Sequence, residues 1–271
     1  MVSTVLGGLA FLAYLMATVA VFRSLKVTAF GEDLSRLKTL SLAWLAAGLH
    51  AGATVSFFAA KGGFDFGFLG ALSTVIWIVV ALILLAALFK PLDKLGLVVF
   101  PLAAFILLLN LLVPEEARVV RDPSWPMAVH ILSSVLAYGF LNLAAIQAVL
   151  LAVQDWHLRT RHAEGLLVRA LPPLETMEAL LFQLIGAGLL LLTVSLATGF
   201  LFLENMFAQH LAHKTVLSIL AWAVFAVLLV GRLRYGWRGQ IAIRWTLGGF
   251  LSLMLAYFGS KMVLEWILGR V

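Results

Sequence analysis

The chain has 271 residues, of which 63% are hydrophobic and only 12% are charged. Soluble domains are about half apolar and about a quarter charged, so this composition excludes a soluble globular protein and indicates a polytopic membrane protein. The absence of cysteine excludes disulfides, thiolate metal sites, a cysteine nucleophile and covalent c-type haem attachment to this chain.

Apolar stretches long enough to cross about 30 Å of hydrocarbon as helices recur along the whole chain. They cover residues 2–22, 39–60, 68–89, 95–113, 126–153, 177–203, 213–231 and 243–268. The first has no basic segment before it and is followed by Arg23 and Lys26, so we expect an uncleaved span and not a signal peptide. The sequence therefore predicts an all-α polytopic membrane bundle with about eight transmembrane helices, forming a single integral membrane domain over residues 1–271.

The basic residues concentrate in the loops after predicted spans 1, 3, 5 and 7. These loops hold 13 of the 19 lysine and arginine residues, namely Arg23, Lys26, Arg36, Lys38, Lys90, Lys94, Arg159, Arg161, Arg169, Arg232, Arg234, Arg238 and Arg244. The positive-inside rule makes them cytoplasmic, so we expect both termini on the outer, periplasmic side of a bacterial inner membrane. This distribution explains the net charge of +6 without a nucleic-acid partner. His157 and His162 fall in the third such loop, where we expect them to be solvated.

Four other histidines lie in or beside the predicted spans. His50 is near the middle of span 2, and His130 is just inside the outer end of span 5. His213 begins span 7, and His210 lies in the short outer loop before it. An ionisable residue inside a span is costly and usually faces the bundle interior, so each is a candidate functional residue. A neutral imidazole that bridges two helices is the competing interpretation.

His130 and His213 are predicted to lie at the same membrane depth on different helices. Two facing neutral imidazoles can hold haem iron through axial nitrogens. Helical spacing from His130 gives a small, weakly polar face, consisting of Ser134, Ala137, Tyr138, Leu141 and Ala145. Such a face admits a flat ligand, but ordinary close packing of helices explains it equally well.

Zinc is the competing metal at this outer end. It prefers four tetrahedral ligands, and His210, His213 and Glu204 could supply some of them. Two histidines spaced H-x-x-H share a face only if the loop is helical, so we rank zinc below haem. The sequence has no P-loop, dinucleotide fingerprint, G-x-S-x-G elbow or H-E-x-x-H helix, and therefore favours neither a hydrolase nor an ATP-driven pump.

A family pattern runs through five stretches of the chain. They are WLAAGLHAGATVSFFAAKGGFDFGFLGALS (44–73), WPMAVHILSSVLAYGFLNLAAIQAVLLAVQDWHLR (125–159), SLATGFLF (195–202), HKTVLSILAWAVFAVLLVGRLRYGWRG (213–239) and TLGGFLSLMLAYFGSKMVLEWIL (246–268). Together they resemble the membrane-integral cytochrome c assembly superfamily, whose members handle haem on the outer side of bacterial and chloroplast membranes. The GWRG loop followed by an AYFGSK span is similar to the branch of YpjD-type inner membrane proteins.

The resemblance implies roles for two histidines. His130 matches the outer-side axial histidine that precedes the family's haem-binding loop, and His50 matches the intramembrane histidine of the second span. The haem-attaching synthases carry a tryptophan-rich loop ending in W-D-P-K-E-T before span 7, whereas this chain has ENMFAQHLAHKT there. The later histidines of those synthases are also absent. His213 offers a replacement ligand where the family motif has proline.

The resemblance therefore implies a haem-binding inner-membrane protein, related to cytochrome c biogenesis factors, that acts as a haem binder, carrier or accessory factor. His130, His213 and His50 would bind non-covalent haem b, with His130 and His213 as axial ligands of the iron. We expect no enzymatic activity, because the synthase loop is missing. Expected partners are the lipid bilayer, haem and other membrane or cytochrome assembly proteins. The alternative is a partner or regulatory subunit of an ion transport system that keeps the fold but does not handle haem.

Overall fold

The computed structural model describes residues 2–24, 32–65, 67–89, 92–113, 119–121, 123–160, 171–202 and 212–259. Within these ranges lie eight α-helices: α1 (Val2–Ser24), α2 (Glu32–Lys61), α3 (Phe68–Ala87), α4 (Gly96–Leu112), α5 (Trp125–Arg159), α6 (Leu174–Phe202), α7 (Ala212–Tyr235) and α8 (Gln240–Met254). A five-residue π-helix, Leu255–Gly259, continues α8, and a 3₁₀ turn, Asp93–Leu95, precedes α4. Each helix coincides with one predicted span, so the all-α membrane bundle is confirmed.

Seven of the described helices are long and apolar enough to cross a membrane when α8 is taken together with its π-helix. The eighth, α4, has 17 residues. At a rise of 1.5 Å per residue it covers about 25 Å, slightly less than the hydrocarbon core. The periplasmic placement of both termini and the single domain over residues 1–271 stay predictions.

The helix boundaries differ most from the sequence prediction at the start of α2, which begins at Glu32 where residue 39 was predicted, and at the end of α5. The predicted span ended at residue 153, but the helix continues to Arg159. No helix breaker intervenes, and Arg159 forms an ion pair of 3.0 Å with Asp155 one turn earlier, which supports the last turn. The prediction that His157 lies in a loop is therefore wrong. His162 lies outside the described residues.

The described chain groups into two compact units, with α1–α4 in the first and α5–α8 in the second. In the first unit α1 packs against both α2 and α4, and α3 packs against α4. The buried faces of α1 and α2 are rich in alanine, which lets helix backbones approach closely; these residues are Ala10, Ala13, Ala17, Ala43, Ala46 and Ala47. This unit also contains two short antiparallel strands, β1 (Phe64–Asp65) and β2 (Val119–Val120), which were not predicted from the sequence.

In the second unit α5 packs along α6, α6 contacts α7, and α8 contacts both α5 and α7. The α5–α6 approach depends on Gly188, where an added Cβ would lie 2.7 Å from the side chain of Leu141. The turn between α7 and α8 contains Gly236 and Gly239 at φ of +67° and +58°, a region that favours glycine. The Gly239 N–H donates a hydrogen bond to the carboxylate of Glu178 in α6, and this bond ties the turn to α6.

Candidate functional site

His130 lies near the start of α5, in the second helical unit. Pro126 stands in the first turn of α5, where its missing N–H is not needed, so the helix begins just before the histidine. The half-buried His130 ring places Nδ1 2.9 Å from the backbone carbonyl oxygen of Ser195 on α6. A carbonyl can only accept, so Nδ1 donates the hydrogen bond. In the neutral ring Nε2 then carries the free lone pair, which is the form of imidazole that binds metals.

Hydroxyl groups hold this part of α5 against α6. The Ser134 hydroxyl donates to the His130 carbonyl at 2.6 Å. Because that uses its only proton, the Ser195 hydroxyl must be the donor in the 2.6 Å contact between the two serines. The Thr198 hydroxyl is 3.0 Å from the same Ser195 carbonyl that receives the His130 hydrogen bond. We call His130, Ser134, Ser195 and Thr198 the His130 cluster.

The helix face predicted from His130 is largely the face that α5 buries. Ala137 and Leu141 are fully buried, and Ala145 is buried as well. The Tyr138 hydroxyl donates to the carbonyl of Leu253 in α8 at 2.9 Å, close to the start of the π-helix. This face therefore serves helix packing over much of its length, and its N-terminal end carries the His130 cluster.

An aromatic pair lies at the same end of α5 and α6 as the His130 cluster. The rings of Trp125 and Phe202 meet edge to face, with centroids 5.4 Å apart. Trp125 is 70% exposed and Phe202 is 48% exposed. The ends of these two helices consequently present a half-buried imidazole beside exposed aromatic surface.

His50 has a different environment in the first unit. The ring is 1% exposed, with Nδ1 3.3 Å from the Tyr14 hydroxyl of α1 and Nε2 2.9 Å from the Ser73 hydroxyl of α3. A neutral imidazole satisfies both contacts, donating through one nitrogen and accepting through the other. The Tyr14 ring also stacks on Phe100 of α4, at a centroid distance of 6.3 Å. His50 is thus the centre of a polar contact in which α1, α2 and α3 meet.

His213 is the second residue of α7, and its side chain is exposed. Among the described residues no hydrogen bond or ring contact joins His213 to His130, so their pairing stays a prediction. His210 and Glu204, which the zinc interpretation requires, lie outside the described residues. Within the described part of the chain no three His, Asp or Glu side chains are placed to hold one metal ion.

The hydrogen-bond partners of His130 and His50 were not predicted from the sequence. Ser195 and Thr198 could have indicated a polar contact, since S-L-A-T places two hydroxyls one turn apart in an otherwise apolar span. Tyr14 offered a similar signal, as a polar aromatic residue in the middle of the first span. Pattern alone does not reveal which helix each hydroxyl faces.

Comparison with known proteins identifies relatives of the chain. The sequence model of the family described as "Cytochrome C assembly protein" matches residues 34–268. The chain is 35% identical to the inner membrane protein YpjD of Escherichia coli K12 over 170 residues, which cover 63% of this chain and 64% of that protein. The chain therefore spans slightly less than two thirds of this relative's length. No solved structure matches the chain.

More distant similarity extends to two other proteins. A 28.8 kDa protein from the nifR3-like 5′ region of Azospirillum brasilense is 32% identical over 210 residues, 73% of this chain and 76% of that protein. The cytochrome c biogenesis protein CcsA of Chlamydomonas reinhardtii is 24% identical over 144 residues, 52% of this chain and 39% of that protein. The family match covers most of the chain, and the chain belongs to the cytochrome c assembly protein family as a multi-pass inner-membrane protein.

Proposed function

We propose that this protein binds haem b non-covalently at the His130 end of α5 and α6, and acts as a haem binder, carrier or accessory factor in cytochrome c assembly. The observation that carries the proposal is the hydrogen bond from His130 Nδ1 to the Ser195 carbonyl. It fixes the ring, and no described residue occupies Nε2, which would be left for a metal, an arrangement found around most metal-binding histidines. Membership of the cytochrome c assembly family, and a relative named as a cytochrome c biogenesis protein, support the same ligand.

The residues at this end of the second unit fit a flat, largely apolar ligand. Haem supplies an iron centre that accepts axial nitrogen ligands, and His130 Nε2 would be one of them. The exposed rings of Trp125 and Phe202 would cover part of the macrocycle. His213, exposed at the start of α7, would be the second ligand of the iron. The chain contains no cysteine, so the thioether attachment of c-type haem is excluded and the proposed haem would be held non-covalently.

His50 would contribute to haem binding only after losing a hydrogen bond. Its Nε2 is engaged with Ser73 and its Nδ1 with Tyr14. We therefore propose His130 and His213 as the iron ligands. His50 would be an inner contact of the haem, and it would have to give up its hydrogen bond with the Ser73 hydroxyl before it could contact the haem.

The test is the absorption spectrum of the detergent-purified protein with added haemin, recorded for wild type, His130→Ala and His157→Ala. His157 is a matched control, because it lies on the same helix and its Nδ1 also contacts a backbone carbonyl, that of Val153 at 2.8 Å. We expect a Soret band in wild type and in His157→Ala, and its loss in His130→Ala. A band of equal height in all three proteins would contradict the proposal.

The alternative function, a partner or regulatory subunit of a membrane transport system, is favoured by one observation. His50, the histidine nearest the middle of a span, is saturated by two hydroxyls and acts as a helix bridge. In this function the fold would persist without haem. This alternative would be supported if the wild-type protein showed no Soret band with added haemin and co-purified with a transporter.

A further inference from the structure

A groove lies between α1 and α2 of the first unit, away from His50. Its volume is about 510 Å³. Five apolar residues and one threonine form most of its wall, and two basic residues complete it; the lining residues are Leu15, Met16, Val19, Ala20, Arg23, Lys38, Thr39 and Leu42. Leu15, Met16 and Val19 are each at least 40% exposed, so the groove opens outwards from the helix pair.

The two cations lie at one end of the groove. Arg23 is the penultimate residue of α1, and Lys38 is in the second turn of α2, the next helix along the chain. Both side chains are exposed. The apolar wall extends from Arg23 back to Leu15, eight residues along α1, or about 12 Å at 1.5 Å per residue. The groove therefore has a cationic end and an apolar body that covers most of one leaflet, since half of the hydrocarbon core is about 15 Å.

We infer that this groove binds an anionic phospholipid, with the phosphate at Arg23 and Lys38 and an acyl chain along Leu15, Met16 and Val19. Among the described residues that line the groove none is acidic, so these residues offer no carboxylate to neutralise the two cations. The predicted topology places this end at the cytoplasmic surface, where anionic lipids give the leaflet a negative potential. The inference is independent of haem binding, because it uses neither His130 nor His50.

Native mass spectrometry of the detergent-purified full chain with equal amounts of phosphatidylglycerol and phosphatidylcholine tests the inference. We expect selective retention of phosphatidylglycerol by wild type and about 30-fold weaker retention by Arg23→Gln/Lys38→Gln, since each basic residue at such a surface contributes about fivefold. The control Arg234→Gln/Arg238→Gln removes two exposed arginines from the second unit, also on the predicted cytoplasmic side, and should retain the lipid within about twofold.

A second variant keeps the charges and fills the groove. Ala20→Phe adds a ring to the apolar wall, so phosphatidylglycerol retention should fall although Arg23 and Lys38 remain; this variant decides the test if the double charge variant does not fold.

Equal retention of the two lipids, or equal losses in the control and the double variant, would overturn the inference. Haem carries two carboxylates and is the competing amphiphile. Loss of haemin binding in Arg23→Gln/Lys38→Gln, with the lipid still retained, would also overturn it.

Discussion

His50 and His130 both lie on long apolar helices, but their hydrogen bonds differ. His50 is fully enclosed, and hydroxyl groups from two other helices engage both of its ring nitrogens. His130 is half-buried, and within the part of the chain that the structure describes only its Nδ1 is engaged, by a backbone carbonyl that fixes the tautomer. The comparison shows that an intramembrane histidine is not identified as a ligand by its depth alone. The free lone pair on Nε2 distinguishes His130.

The largest expected effect is on haem retention. His130→Ala should lower haem affinity at least about tenfold, because it removes a ligand, whereas His50→Ala should leave the Soret band close to wild type. Titration of the purified variants with haemin measures both affinities. If His50→Ala lost haem and His130→Ala kept it, the distinction between the two histidines would be reversed.

His213→Ala separates the two proposed axial ligands. We expect the variant to bind haem more weakly and to show a shifted Soret maximum, because one axial nitrogen is lost while His130 remains. Absorption spectra of the oxidised and reduced protein report the change. An unaltered spectrum would remove His213 from the ligand set without affecting His130.

Substitution of either histidine should destabilise the protein, but to different extents. His50→Ala leaves a buried cavity and removes the partner of the Tyr14 and Ser73 hydroxyls, so we expect a loss of about 2–4 kcal/mol in the free energy of unfolding. His130→Ala removes one interhelical hydrogen bond at a half-buried position, for which about 1 kcal/mol is expected. Thermal unfolding in detergent compares the two variants. Equal destabilisation would contradict the bridging role of His50.

The packing of α5 on α6 can be tested apart from the histidines. Gly188→Ala places a Cβ against Leu141 and should destabilise the protein by about 1–3 kcal/mol. Gly186→Ala, two residues away on the same helix, meets nothing within 4 Å and should be neutral or slightly stabilising, because alanine is the better helix former. The unfolding temperatures of the two variants show whether stability requires the close approach of the α5 and α6 backbones.

The smallest expected effect concerns the serine pair. Ser134→Ala removes the interhelical contact with Ser195 and should cost about 0.6 kcal/mol, the average for such hydrogen bonds in membrane proteins. Ser41→Ala is the control and should be nearly neutral, because among the described residues the Ser41 hydroxyl contacts only the carbonyl of Lys38 on its own helix. A Ser134→Ala protein as stable as the control would show that the serine pair does not hold α5 on α6.

Much of the architecture could be predicted from composition and spacing. Apolar runs near 20 residues must form helices in a bilayer, because every backbone N–H and C=O has to be satisfied within the segment. The predicted and observed helices therefore agree, and the largest disagreements are where polar residues extend α2 back to Glu32 and α5 on to Arg159. The candidate status of His50 and His130 also follows from the cost of an ionisable group inside a span.

The sequence by itself determined the class of protein, the order of its helices and the positions of the histidines along them. Only the tertiary structure decided that Ser195 faces His130 and that Tyr14 and Ser73 enclose His50. The physical reason is that helix formation depends on hydrogen bonds within a segment, whereas side-chain partners depend on which helices are neighbours and how each is rotated. A hydroxyl in an apolar helix has no partner assigned by local pattern, so the difference between a bridging histidine and one with a free nitrogen appears only when the helices are packed.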